Sequence, residues 1–128
     1  MGSEMCIRDR ALTGEVLLAK RVRGGSERAE PSATMTIDQS DSFIDAHCRA
    51  EGRDVEITRV VAQRIDGTGA TYNLAWEVLE EAEGGAVLKV TPGLAPGIWS
   101  LRCEAEDRSS GVRSWIEPAA NLEVAPRS

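Results

Sequence analysis

The sequence predicts an all-β domain, a two-sheet sandwich of about seven strands, and three observations carry that expectation. In residues 94–107, LAPGIWSLRCEAED, a Pro96-Gly97 turn signal is followed by Trp99, Leu101, Cys103 and Ala105 alternating with Ser100, Arg102, Glu104 and Glu106. A period of two with one apolar and one charged face is that of a strand half-buried in an antiparallel sheet. Similar short runs recur between Gly, Pro, Asp and Asn turns, with almost no helical periodicity, which is the punctuation of a sandwich. The length of 128 residues suits one domain with one core.

In chain order, the first residues read differently from the rest. Residues 1–3, MGS, look like an expression-vector scar. Residues 5–10, MCIRDR, resemble at every position the translated end of a transposase-type sequencing adaptor. That resemblance implies a metagenomic gene and places Cys6 outside the natural protein. Lys20, Arg21, Arg23 and Arg28, with Gly24-Gly25 and Pro31, give the next stretch a basic, linker-like character. Within it, residues 14–19, GEVLLA, suit a short strand or a helical turn. Residues 1–34 carry six Lys/Arg against five Asp/Glu, and residues 35–128 nine against sixteen. The expectation is a non-native or disordered leader over 1–34, a natural start at Met35 and an acidic sandwich domain over 35–128.

Within that domain, Ile44, Ala46, Cys48 and Ala50 alternate with Asp45, His47 and Arg49 and make the first long strand. In residues 55–65 the apolar parity changes, from Val55 and Ile57 to Val60 and Ala62, so a bulge or bend is expected near Arg59. Asp66-Gly67-Thr68-Gly69 ends that strand as a turn. Tyr72, Leu74, Trp76 and Val78 share one face of a third strand, and Ala86, Leu88 and Val90 share one face of a fourth, with residues 80–85, EEAEGG, turning between them. A helix over 74–83 is the competing reading, because Leu74, Val78 and Glu81 have helical spacing. After the strand of the 94–107 stretch that follows the Pro96-Gly97 turn signal, residues 107–111 form a hairpin turn. Val112, Ser114 and Ile116 then alternate with Arg113 and Trp115, and Leu122 and Val124 close the last strand.

Composition sets limits on function. A net charge of -6 and an isoelectric point near 4.8 leave no basic footprint for nucleic acid or an anionic membrane surface. No run approaches the roughly 20 apolar residues of a membrane-spanning helix, and the start lacks a basic segment followed by an apolar one. The expectation is a chain that is cytoplasmic as synthesised, with no nucleic-acid, membrane or small-molecule partner. Phe43 and Tyr72 are the only Phe and Tyr, so Val, Ile, Leu, Ala and three tryptophans must fill the core.

MTIDQSDSF at 35–43, LAPG at 94–97 and IWSLRCEAEDRSSGVRSWIEPAANLEV at 98–124 resemble the small immunoglobulin-like sandwich proteins among the structural genes of tailed phages and prophages. In that pattern an opening "QGD-F" strand is followed near the end by a "PG-Y" turn and an Asp-Gly hairpin. Here Ser40 replaces the early Gly, Trp99 replaces the Tyr, and Pro118 stands where a Gly is common. The resemblance implies an immunoglobulin-like sandwich and a non-enzymatic, virion- or tail-associated module that binds a protein partner or associates with itself. An adhesion or carbohydrate-associated module of a secreted or cell-surface bacterial protein is the alternative.

Candidate residues are few. Cys48 and Cys103 both fall on inward parities, so they are placed either for an inter-sheet disulfide like that of immunoglobulin domains or as two buried reduced thiols. The reduced pair is the expectation, because free Cys packs as a small hydrophobe and a cytoplasmic protein is kept reducing. His47, the only histidine, lies on an outward parity with no nucleophile beside it and reads as a surface residue rather than an acid/base. The acidic residues Glu77, Glu80, Glu81, Glu83 and Asp107 lack the Asp-x-Asp-x-Asp spacing of a calcium loop, so no metal or cofactor is expected. Residues 66–69 lack the Lys and helix start of a phosphate cradle. Trp76 and Trp99 are expected in the core. Trp115 and Arg113 share a parity: if it faces out, they form a partner-binding pair of residue types enriched at interface hot spots. The opposite placement, with Trp115 in the core, is slightly favoured. No acid/base or nucleophile constellation is present, and no enzymatic activity is expected.

Overall fold

Ten strands, and no helix among the described residues, form the computed structural model, which describes residues 12–20, 31–40, 43–67 and 69–126. They are β1 (Leu12–Lys20), β2 (Thr34–Asp38), β3 (Ile44–Ala50), β4 (Val55–Arg64), β5 (Thr71–Asn73), β6 (Ala75–Ala82), β7 (Gly85–Thr91), β8 (Gly97–Asp107), β9 (Arg113–Glu117) and β10 (Ala120–Ala125). The adaptor-like residues 5–10, the basic stretch 21–28 and Thr68 lie outside the described residues.

The strands pair as two ladders. One runs β1-β3-β7-β6, antiparallel at every step. In the other, β4 lies between β5 and β8, and β8 is shared on its far side by β9 along residues 104–106 and β10 along residues 97–101. β2 adds in parallel to β10. A short parallel pairing of Leu12 with Ile116 and Thr13 with Glu117 links β1 to β9 and joins both ladders into one ten-stranded sheet. The Glu117-Pro118 peptide between β9 and β10 is cis.

A single apolar cluster draws on both ladders. From the first come Val16, Leu18, Ile44, Ala46, Cys48, Leu88 and Val90; from the second come Val60, Ala62, Trp99, Leu101, Cys103, Leu122 and Val124. The alternation read in residues 94–107 is the burial pattern of β8, in which Trp99, Leu101, Cys103 and Ala105 are all at most 1% exposed. Trp99 is the only aromatic among the largest fully buried side chains, and its indole Nε1 donates to the Ala95 carbonyl at 3.0 Å. Close packing extends to the backbone. A Cβ on Gly85 would collide with the Cys48 carbonyl, and one on Gly14 with the Arg49 carbonyl, so glycine is required on both sides of β3 where its neighbours cross.

Several expectations change. Residues 12–20, read as part of a leader, form a strand with Val16 and Leu18 buried at 1%, because their apolar side chains complete the face begun by β3. The folded part of the chain therefore extends in front of Met35. The third expected strand is two strands. β5 pairs with β4 and β6 pairs with β7, and the chain passes from one ladder to the other at Leu74, whose amide donates to the Val60 carbonyl at 2.9 Å. The competing helix over 74–83 is absent, and the turn after β6 is confined to Glu83-Gly84, with Gly84 at φ +79°. The parity change near Arg59 is a bulge. Ile57 pairs with Ala105 and Arg59 with Glu104, leaving Thr58 as the extra residue.

Candidate protein-binding face

Whichever side chains of β4, β8 and β9 do not enter the core must line the opposite face of their ladder, and pleating fixes which these are. On β8 they are Arg102, Glu104 and Glu106. The β8–β9 register sets Trp115 opposite Glu104 and Arg113 opposite Glu106. Ile116 is fully buried and Trp115 only half-buried, so β9 turns Trp115 and Arg113 outward, which corrects the favoured placement of Trp115 in the core. Ile116 is drawn in by its pairing with Leu12 of β1.

The bulge in β4 completes the cluster. Because Thr58 and Arg59 together oppose Glu104, both reach it: Thr58 Oγ1 donates to Glu104 Oε1 at 2.9 Å, and Arg59 Nη2 lies 3.1 Å from Glu104 Oε2. From there the Arg59 guanidinium stands 5.0 Å from the centroid of the Trp115 ring. Arg102 stands 5.1 Å from the same ring and 3.9 Å from a Glu117 carboxylate oxygen. Arg113 Nε donates to Glu106 Oε1 at 3.3 Å. One indole thus has two guanidiniums within reach of its ring, amid a ladder of ion pairs. At exposed positions each cation–π contact contributes about 0.5–1 kcal/mol, and each ion pair about as little. The arrangement contributes modestly to stability, but it keeps a large aromatic and three arginines ordered at the surface.

Behind this face the fold is pinned. Cys48 of β3 and Cys103 of β8 form a disulfide across the core, with Cα atoms 6.4 Å apart, within the range that a bridge spans without moving backbone. The expectation of two reduced thiols is corrected: both strands aim these residues at the same point between the ladders. Closing a loop of 55 residues contributes about 4 kcal/mol in the loop-entropy account.

The other candidates have structural employment. Asp107, at the buried end of β8, accepts from the Ser109 hydroxyl at 2.7 Å, the Ser109 amide at 2.9 Å and Arg53 Nη1 at 3.1 Å. These donors, the hydroxyl first, hold its carboxyl below the ordinary 3.8. It caps the turn after β8. Asp66 accepts from the Ile98 amide at 3.2 Å and from Arg64 Nε at 3.0 Å, and its carboxyl is lowered by the same contacts, the amide first. Arg64 in turn donates to the Pro96 carbonyl at 3.1 Å and stands over Trp99, which ties the turn at residues 94–97 to β4. His47 is half-buried on the outer side of β3. Glu77, Glu80 and Glu81 lie along β6 and Glu83 in its turn, and no group of three His, Cys, Asp or Glu residues among the described residues is arranged to hold a metal ion. A cleft of about 610 Å³ opens between residues 49–54 and 82–84, but its lining mixes Arg49 and Arg53 with Glu51, Asp54 and Glu83 and has no single sign of charge.

Of the sequence-predicted residues, Arg113 and Trp115 share the outer face while Cys48 and Cys103 lie beneath it. Arg59 and Arg102 were missed. Arg102 was legible in principle, because a hairpin at residues 107–111 sets Glu104 opposite Trp115 and puts Arg102 one diagonal away. Arg59 depends on the β4–β8 register, which no local pattern encodes. No family model matches the chain, and neither a curated protein nor a solved structure matches it.

Proposed function

We propose that the chain is an immunoglobulin-like β-sandwich module that works without catalysis, as a virion- or tail-associated accessory component binding protein through the face centred on Trp115. The observation that carries the binding role is the indole with both Arg59 and Arg102 against its ring, and Arg113 on the same face of β9. Trp and Arg dominate interface hot spots because each offers large contact area and directional donors once water is excluded. Pairing order supports the immunoglobulin-like reading. β1-β3-β7-β6 corresponds to the A-B-E-D ladder of such domains, and β10-β8-β4-β5 to the G-F-C ladder with its added strand, with the bridge joining the strands that correspond to B and F. The phage setting rests on the resemblance of residues 35–43 and 94–124.

The disulfide favours a second setting, an adhesion or carbohydrate-associated module on a cell surface, since bridges persist outside the reducing cytoplasm. A released virion meets the same condition, so both settings share a site of action beyond the cytoplasm. Binding of the purified chain to the products of genes flanking it on the source contig, mapped by hydrogen exchange, separates them. The phage reading expects a structural phage protein to protect amides of residues 102–106 and 113–115. Flanking genes encoding surface proteins, or protection confined to other strands, would contradict it.

A further inference from the structure

The first ladder ends in a strand unlike the others. β6 has seven exposed residues, and its eighth, Trp76, is half-buried. Register places Trp76 opposite Val90 and Val78 opposite Leu88, both fully buried, and directly paired residues share a face. Trp76 and Val78 therefore point the same way as the core, yet Val78 is 44% exposed. β5, the end strand of the other ladder, has three residues against the eight of β6. Among the described residues no strand pairs with the far side of β6, so its row of amides and carbonyls is an open template for another strand.

Two features decide what fits there. The bulge between Val78 and Glu80 leaves Leu79 43% exposed and adds apolar surface at the strand's middle. Glu77, Glu80 and Glu81 line the same strand, and among the described residues only Glu77 has an ion-pair partner, Lys89 at 3.5 Å. Antiparallel pairing of two copies through β6 would set carboxylates against carboxylates, which is unfavourable. Glu77 and Glu80, opposite Lys89 and Val87, share the outer face of the strand, and Glu81, opposite buried Ala86, lies on the other, so an incoming strand with Lys or Arg at alternate positions meets Glu77 and Glu80 with opposite charge. We propose that the β6 edge is a strand-addition site for an extended segment of another protein that alternates basic and apolar residues, a surface separate from the Trp115 face. Main-chain hydrogen bonds would supply affinity, and the carboxylates would supply selectivity.

The test uses the full chain and a short synthetic peptide of alternating lysine and valine, with a glutamate-for-lysine peptide as control. Binding is read by calorimetry and its location by hydrogen exchange. The lysine peptide is expected to bind about tenfold more tightly than the glutamate peptide, the sum of a few cross-strand charge pairs, and to protect amides of residues 76–82. The doubly substituted Glu77→Lys/Glu80→Lys chain, altered only at exposed positions of the face that meets the lysines, is expected to reverse that preference. Equal binding of both peptides, no binding at millimolar concentration, or protection on the Trp115 face or another edge instead of β6 would overturn the proposal. So would self-association of the chain through β6.

Discussion

The two faces of β8 are made by one strand under one rule of alternation, yet they serve different ends. Inward, Trp99, Leu101, Cys103 and Ala105 are at most 1% exposed and are bound to the opposite ladder by packing and by the Cys48–Cys103 bridge. Outward, Arg102, Glu104 and Glu106 interlock with Arg59, Trp115 and Arg113 through contacts that water can reach. Stability is concentrated on the first face, where burial of apolar area dominates. The second face holds residue types that bind, in an ordered arrangement, at little energetic cost. The difference shows that a tryptophan's role follows from its strand's parity and neighbours rather than from its type. Trp99 and Trp115 both meet arginines, but only Trp99 is sealed from solvent.

That contrast can be broken most forcefully at the bridge. Replacing Cys48 and Cys103 together by Ala is expected to lower unfolding free energy by about 4 kcal/mol, measured by denaturant titration. A loss below about 1 kcal/mol would show that the bridge does not restrain the unfolded chain as loop closure requires. Next, Leu101→Ala is expected to cost about 3 kcal/mol, the transfer loss plus a cavity in a core without room to collapse. On the outer face, Arg59→Ala is expected to cost no more than about 1 kcal/mol, and a loss comparable to that of Leu101→Ala would erase the distinction between the faces. The smallest effect concerns pH. Folding lowers the Asp107 carboxyl below 3.8, so its contribution is complete above the unfolded value and is lost as pH falls through the lower folded one. The stability gap between the native chain and Asp107→Asn, measured by thermal unfolding, is therefore expected at neutral pH and should close on acidification below 3.8.

Much of the core was legible because alternation reports parity directly. The strand over 44–50, the inward face of β8 and the turn at residues 107–111 follow from side-chain pattern alone. An irregularity near Arg59 also followed, as a bulge or a bend, since the apolar parity changes between Ile57 and Val60; the β4–β8 register makes it a bulge at Thr58. What was not legible depends on partners distant in sequence. Residues 14–19 are a short apolar run amid basic residues, and such a run carries no signal of its own separating strand from turn. Losing β1 hid the partner that buries Ile116, and with it the reason Trp115 faces out. The passage between ladders at Leu74 leaves the period of two intact and so is silent in the sequence. For the cysteines, parity allowed both readings, and the expected compartment weighed against the bridge that the facing strands form.

The most direct test of the outer face as a binding surface is Trp115→Ala, followed by thermal unfolding and by sedimentation alone and with the protein products of flanking genes. An essentially unchanged melting curve with loss of self-association or partner binding is the predicted result. Gross destabilisation, or intact association in the variant, would contradict it.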